Sequence, residues 1–305
     1  MQVLIIGSGF VGRCLAVRLA SEGHDATLAS RHRPAGLAPE LAWLGLDAAD
    51  RDAFAAVLHR LRPDAIVLVH GPSDISLCEY SPDEAMCSHA VIARNACRLA
   101  PHAYKLLVST DNVFDGRQES YAEDAPPLPA NAYGRAKLAA EQVLSQCSGD
   151  FLIARTSLVY GWEEADRGWI NFFALALRRL AAGDILEVPD ALWNTPIFVE
   201  DAAAIYTRCI EQSVMGILHV AGPQRISRLD WARLLADEYE LDASLIRPIA
   251  ADASRYFCRP RNSCLSSHHL PALLSAWPNV QCRSPAQAAV HMKPLLHGHL
   301  PINKE

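Results

Sequence analysis

Short apolar runs and longer amphipathic stretches take turns along the first half of this chain. Residues 3–6 are continuously apolar, and after a turn Cys14, Leu15, Val17, Leu19 and Ala20 give the next segment one apolar face at helical spacing. Residues 26–29, 41–46, 65–69, 105–108 and 151–154 repeat the short run, apolar apart from Thr27, Gly45 and Lys105, while 50–61, 83–99 and 131–141 repeat the amphipathic one, with Pro82 opening the second of these. Strands alternating with helices predict an α/β fold, with a parallel sheet wound by right-handed crossovers. Beyond residue 160 the pattern changes to helices at 171–181, 200–211 and 229–238 mixed with short strands at 186–188, 197–199 and 216–220. The expected division is therefore a sheet domain over 1–160 and a smaller C-terminal, substrate-binding lobe over 161–305, some of whose elements return to the sheet.

The first turn carries chemistry. Gly7-Ser8-Gly9-Phe10-Val11-Gly12 follows the first strand and opens the first helix. In that context G-x-G-x-x-G is the dinucleotide-binding arrangement of a Rossmann-type doubly wound sheet. A pyrophosphate approaches the backbone at Gly9 and meets the free N–H groups of the helix start. The second strand ends in Ser30-Arg31-His32-Arg33. An NAD site usually has a carboxylate there for the ribose 2′-hydroxyl. A hydroxyl and two guanidinium groups suit a 2′-phosphate instead, because the planar guanidinium makes paired, charge-assisted bonds. NADP(H) is the expected cofactor, with NAD(H) possible. Asp47 and the pair His70-Gly71 follow the third and fourth strands on the same edge.

The fifth strand delivers Ser109-Thr110-Asp111-Asn112 to that edge, and Asn131-Ala132-Tyr133-Gly134-Arg135-Ala136-Lys137 begins the next helix. Tyr133 and Lys137 share one face, a turn apart. A cation there favours phenolate, so Tyr133 is expected to part with its proton more easily than free tyrosine. Such a tyrosine can protonate a carbonyl oxygen while hydride reaches the carbon.

Composition narrows the partners. A net charge of -6 argues against a nucleic-acid surface, and the longest apolar runs are far too short to span a bilayer. Nine scattered cysteines lack zinc spacing, and His268-His269 lacks H-E-x-x-H context, so no metal is expected. The chain enters a strand at once, without an export signal, which points to reduced thiols in a cytoplasm.

Together GSGFVG, RPDAIV, STDNVFDG, NAYGRAK, RTSLVYG and RPRNSCLS resemble the extended short-chain dehydrogenase/reductase superfamily, and within it the dTDP-4-dehydrorhamnose (4-keto-6-deoxysugar) reductases. The resemblance implies Thr110 as a catalytic hydroxyl, Tyr133 as the acid and Lys137 as its partner and a ribose ligand. It places Asp47 near the adenine and makes Asp111, Asn112, Leu158, Asn171 and Arg259 candidate substrate contacts. Three positions depart from the family pattern: Asn112 and Leu158 replace aromatic residues, and Val67-Leu68-Val69-His70-Gly71 stands where the family has a V-N-A-A-A run. The implied activity is NADPH-dependent reduction of a ketone, on a nucleotide-linked deoxysugar or another biosynthetic ketone. Two other readings stay open: an epimerase or dehydratase that retains NAD, and a non-catalytic NADP-binding regulatory subunit. A homodimer is possible.

Overall fold

The structure, a computed structural model, describes residues 1–162, 171–250, 256 and 258–296. The lobe expected over 161–305 thus falls partly outside the described residues. In chain order the sheet half contains β1 (Gln2–Ile6), α1 (Phe10–Ser21), β2 (Asp25–Ser30), β3 (Ala42–Gly45), α2 (Arg51–Leu61), β4 (Ala65–Leu68), α3 (Ile75–Tyr80), α4 (Pro82–Leu99), β5 (Tyr104–Thr110), α5 (Ala132–Ser145) and β6 (Phe151–Thr156). There follow β7 (Val159–Tyr160), α6 (Phe172–Ala181), β8 (Leu186–Pro189), β9 (Trp193–Asn194), β10 (Ile197–Phe198), α7 (Val199–Glu211), β11 (Gly216–Val220), β12 (Ile226–Ser227), α8 (Arg228–Glu238), β13 (Ile246–Ile249), β14 (Asn262–Ser263), α9 (Leu270–Ala276) and α10 (Pro285–Leu296).

Seven strands form one sheet in the order β11-β6-β5-β4-β1-β2-β3. Every pairing in it is parallel. Ala65–Leu68 is buried throughout, as a strand covered on both faces should be. One face packs Leu15, Leu19, Ile205 and Tyr206 of α1 and α7. The other packs Phe54, Leu58, Ala93, Ala140 and Leu144 of α2, α4 and α5. The seventh strand, β11, pairs with β6 from Gly216↔Leu152 to Val220↔Thr156, so chain from beyond residue 160 completes this layer.

Strand order reverses between β1 and β4, and ligands collect at the strand C-termini of such a switch point. The register sets what lies there. Ile6 pairs with Leu68, and Leu68 with Leu107, so β5 runs on past β4 to Thr110, which pairs with Thr156. The lobe has its own core, in which Tyr160, Phe173, Trp231 and Tyr239 bring α6, α8 and the end of β7 together. Small sheets, β13-β8 and β12-β9-β14, frame it. No helix among the described residues is long and apolar enough to cross a membrane.

Candidate active site

A cleft of about 710 Å³ runs from the glycine loop, across the ends of β4, β5 and β6, to the lobe. Gly7 adopts φ +121°, which L side chains rarely reach, and a Cβ there would lie 2.5 Å from the Val69 carbonyl oxygen. A Cβ on Gly9 would meet nothing within 4 Å, so the backbone is open to a ligand. No side chain caps α1, which leaves its first N–H groups for an anion. Gly12, Phe10, Val11, His70 and Gly71 line the same end. These features fit a dinucleotide pyrophosphate.

The turn after β2 is built differently from expectation. Ser30 Oγ accepts from Ser8 Oγ at 2.7 Å and from Trp43 Nε1 at 2.9 Å, and donates to the His32 carbonyl at 2.8 Å. One donor and two acceptor sites are all a hydroxyl has, so Ser30 braces the turn in this arrangement. Arg31 and Arg33 are exposed, and the Arg33 guanidinium lies 5.9 Å from the Trp43 ring centroid. Asp47 is exposed and closes a turn by accepting from Ala49 N at 3.0 Å.

Thr110 ends β5 and caps the following single turn, accepting from Asn112 N at 3.2 Å. Its hydroxyl donates to Asp111 Oδ1 at 3.1 Å. Asp111 is buried; Asn112 Nδ2 also donates to its Oδ1 at 2.8 Å, and Ser157 Oγ to its Oδ2 at 3.0 Å. Burial raises the Asp111 pKa against the pull of these donors. Asn112 Oδ1 accepts from Asn131 Nδ2 at 2.9 Å, and Asn131 Oδ1 caps α5 by accepting from Gly134 N at 2.8 Å. A Cβ on Gly134 would fall 2.0 Å from the Asn112 carbonyl oxygen. Helix α5 therefore rests directly on the turn that holds Thr110. The Asn112 amide, expected to meet substrate, is spent on this seam.

Tyr133 and Lys137 both line the cleft. Lys137 is buried and donates to the Val108 carbonyl at 2.6 Å. Burial pushes its pKa down to about 8, and Glu141, a further turn along α5, pulls the other way. Contrary to expectation, the Tyr133 phenol is shifted upward: burial raises it, the Asp111 charge adds to that, and only the bond to Thr110 opposes. The physical reason is that the Lys137 ammonium points at a backbone carbonyl, while desolvation acts on the phenol directly. Glu141 is clamped by Arg155, whose Nη2 lies 2.9 Å from Oε2 with both side chains buried, and by the Ser109 hydroxyl.

Of the other candidates, Leu158 lines the cleft half-buried. Asn171 lines it too, but its Oδ1 accepts from Ala174 N at 3.3 Å to cap α6 and its Nδ2 donates to the Gly161 carbonyl at 2.9 Å. Its amide ties the start of α6 to Gly161. Arg259 lines the cleft with its guanidinium 5.6 Å from the Tyr256 ring centroid.

Two lining residues escaped the sequence analysis. His89, on α4, donates from Nε2 to the Pro72 carbonyl at 3.2 Å, and its ring meets Tyr133 edge-on at 6.0 Å. His70 Nε2 donates to the His89 carbonyl at 3.2 Å. Burial and then Lys137 push their pKa values down to about 2 and about 3 respectively, so both imidazoles are neutral. Arg228, the first residue of α8, donates from Nε to Asn194 Oδ1 at 3.0 Å and lies 4.7 Å from the Phe172 ring centroid. Burial first, then the nearby Arg259, lowers its pKa to about 10. Neither could be placed from spacing, since each meets the site only through the fold. Glu141 could have been: it continues the Tyr133, Lys137 spacing by four.

The RmlD substrate binding domain family matches residues 1–284. The dTDP-4-dehydrorhamnose reductase of Mycolicibacterium smegmatis is 30% identical over 275 residues, covering 87% of this chain and 78% of that protein. Methionine adenosyltransferase 2 subunit beta of Danio rerio is 24% identical, covering 89% of this chain and 84% of its own length. The crystal structure of dTDP-4-dehydrorhamnose reductase from Bacillus anthracis in complex with NADP superposes with a TM-score of 0.80 at 23% identity, over 95% of this chain and 97% of that one. The fold is shared with that structure, and the chain belongs to the RmlD substrate binding domain family, within the extended short-chain dehydrogenase/reductases.

Proposed function

We propose that this chain is an NADP-dependent oxidoreductase that reduces the ketone of a nucleotide-linked deoxysugar, with Tyr133 as proton donor. The observation that carries it is the meeting of Thr110, Tyr133 and Lys137, from the end of β5 and one face of α5, in the cleft that begins at the glycine loop. The relative from Mycolicibacterium smegmatis, a dTDP-4-dehydrorhamnose reductase, supports the substrate class. The bound cofactor would supply the hydride, held through Gly9, the start of α1 and the arginines after β2.

The remaining work falls to the protein. The raised pKa keeps Tyr133 protonated throughout the neutral range, loaded as an acid. Thr110 would hold the carbonyl oxygen once its hydroxyl turns from Asp111, whose carboxylate keeps its bonds from Asn112 and Ser157. As Tyr133 gives up its proton, the Lys137 ammonium one turn away stabilises the phenolate left behind. Acid catalysis of this kind contributes roughly 10²–10⁴-fold. Leu158, Phe172 and Leu192 offer an apolar wall for the sugar, and Arg228 and Arg259 two cations for its phosphates.

The test is to mix the purified protein with NADPH and a dTDP-4-keto-6-deoxyhexose. Oxidation of one NADPH per sugar, with a new hydroxyl on the product, is the expected result. No oxidation with any nucleotide ketosugar would overturn the proposal. The likeness to methionine adenosyltransferase subunit beta supports a second reading, a cofactor-binding regulatory subunit; tight NADPH binding without turnover, in a stable complex with another enzyme, would favour it. Co-purified NAD⁺ that does not exchange would instead favour an epimerase or dehydratase.

A further inference from the structure

Trp43 lies on β3, opposite Leu28 of β2 in the parallel register, outside every motif of the sequence. Two contacts connect it to the turn at residues 30–33. Its indole N–H donates to Ser30 Oγ, the same oxygen that takes a bond from Ser8 of the glycine loop. Its ring carries the Arg33 guanidinium at 5.9 Å from the centroid, a cation–π distance. One side chain therefore ties the turn to β3 through Ser30 and holds one of the two arginines of that turn. An exposed arginine otherwise samples many rotamers and loses that freedom when it captures an anion. A ring beneath it removes part of this loss beforehand.

We propose that Trp43 is the positioning residue for cofactor choice: by stacking under Arg33 and bracing Ser30, it pre-orders the turn for the 2′-phosphate that distinguishes NADPH from NADH. The inference rests on the NADP reading above. It assigns the discrimination to a residue that touches neither the phosphate nor the reacting atoms. Trp43 contributes nothing to NADH binding on this account, because NADH presents no phosphate to Arg33.

The experiment is calorimetric titration of NADPH and NADH into the wild type and two variants. Trp43→Phe keeps a ring for Arg33 but loses the indole N–H; Trp43→Leu loses both. The NADPH preference should fall about two- to fivefold in Trp43→Leu, and less in Trp43→Phe, with NADH affinity unchanged in each. The double variant Trp43→Leu/Arg33→Ala should bind NADPH no more weakly than Arg33→Ala alone, since both changes remove one interaction. Equal weakening of both cofactors would make Trp43 a structural support only, and an unaltered preference would leave it without a role; either overturns the inference. A wild type that binds NADH as tightly as NADPH would overturn the NADP reading itself, a separate failure visible before any variant is made.

Discussion

Arg228 shows what a single side chain can decide here. Its guanidinium sits over the Phe172 ring, and its Nε is tied to Asn194. The fork is thereby aimed into a cleft that also holds Arg259. Two cations that repel one another are best satisfied by an anion between them, and hydrogen bonds to a charged partner contribute about 1.5–3 kcal/mol each. Arg228→Gln should therefore raise the KM for a nucleotide sugar by roughly tenfold or more and change kcat much less, since Arg228 makes no hydrogen bond to Thr110, Tyr133 or Lys137. Steady-state kinetics with a sugar nucleotide checks this; an unchanged KM would remove Arg228 from the substrate site. Glu141 makes the opposite kind of contribution. Its carboxylate neutralises the buried Arg155, so Glu141→Ala leaves a guanidinium without its partner and should destabilise the fold by about 3–5 kcal/mol. Urea unfolding would measure that loss.

At the scale of elements, the histidine pair links α4 to the turn after β4. His89 holds the Pro72 carbonyl, and His70 holds the His89 carbonyl. Both folded pKa values lie below the usual 6.5, at about 2 and about 3. Below pH 6.5 the unfolded chain binds these protons and the folded chain does not, so stability falls as the pH drops from about 6.5 toward 3. Each histidine contributes a slope of up to about 1.4 kcal/mol per pH unit in that window. His89→Gln should flatten the acid limb of a plot of urea midpoint against pH; an unchanged limb would mean that His89 titrates freely. None of this could be read along the chain. The glycine loop and the Tyr133, Lys137 spacing were legible because each is local, one turn or one helix face. The two-residue strands β7, β9, β12 and β14 have no periodicity to detect. Helix α3, Ile75–Tyr80, is a six-residue turn of chain capped by Asp74 and too short to declare itself. Asn112 and Asn171 were ambiguous for another reason: an amide suits a substrate and a backbone bond equally well, and here both amides join elements.

For the molecule as a whole, sheet and lobe divide the labour. The sheet edge fixes Thr110 against α5 through Asn112, Asn131 and Gly134, and the lobe closes the far side with Phe172 and Arg228. Both halves matter only if the cleft they form transfers a proton from Tyr133. Tyr133→Phe removes one oxygen and keeps the ring that meets His89, so fold and NADPH affinity should persist. The decisive measurement is single-turnover NADPH oxidation by Tyr133→Phe and wild type on the same ketosugar, with NADPH binding titrated separately in each. The rate should drop by at least about 10²-fold with the NADPH Kd within about twofold of wild type, a difference of only ~0.4 kcal/mol. Turnover within about tenfold of wild type, a barrier change of only ~1.4 kcal/mol, would mean that another group supplies the proton.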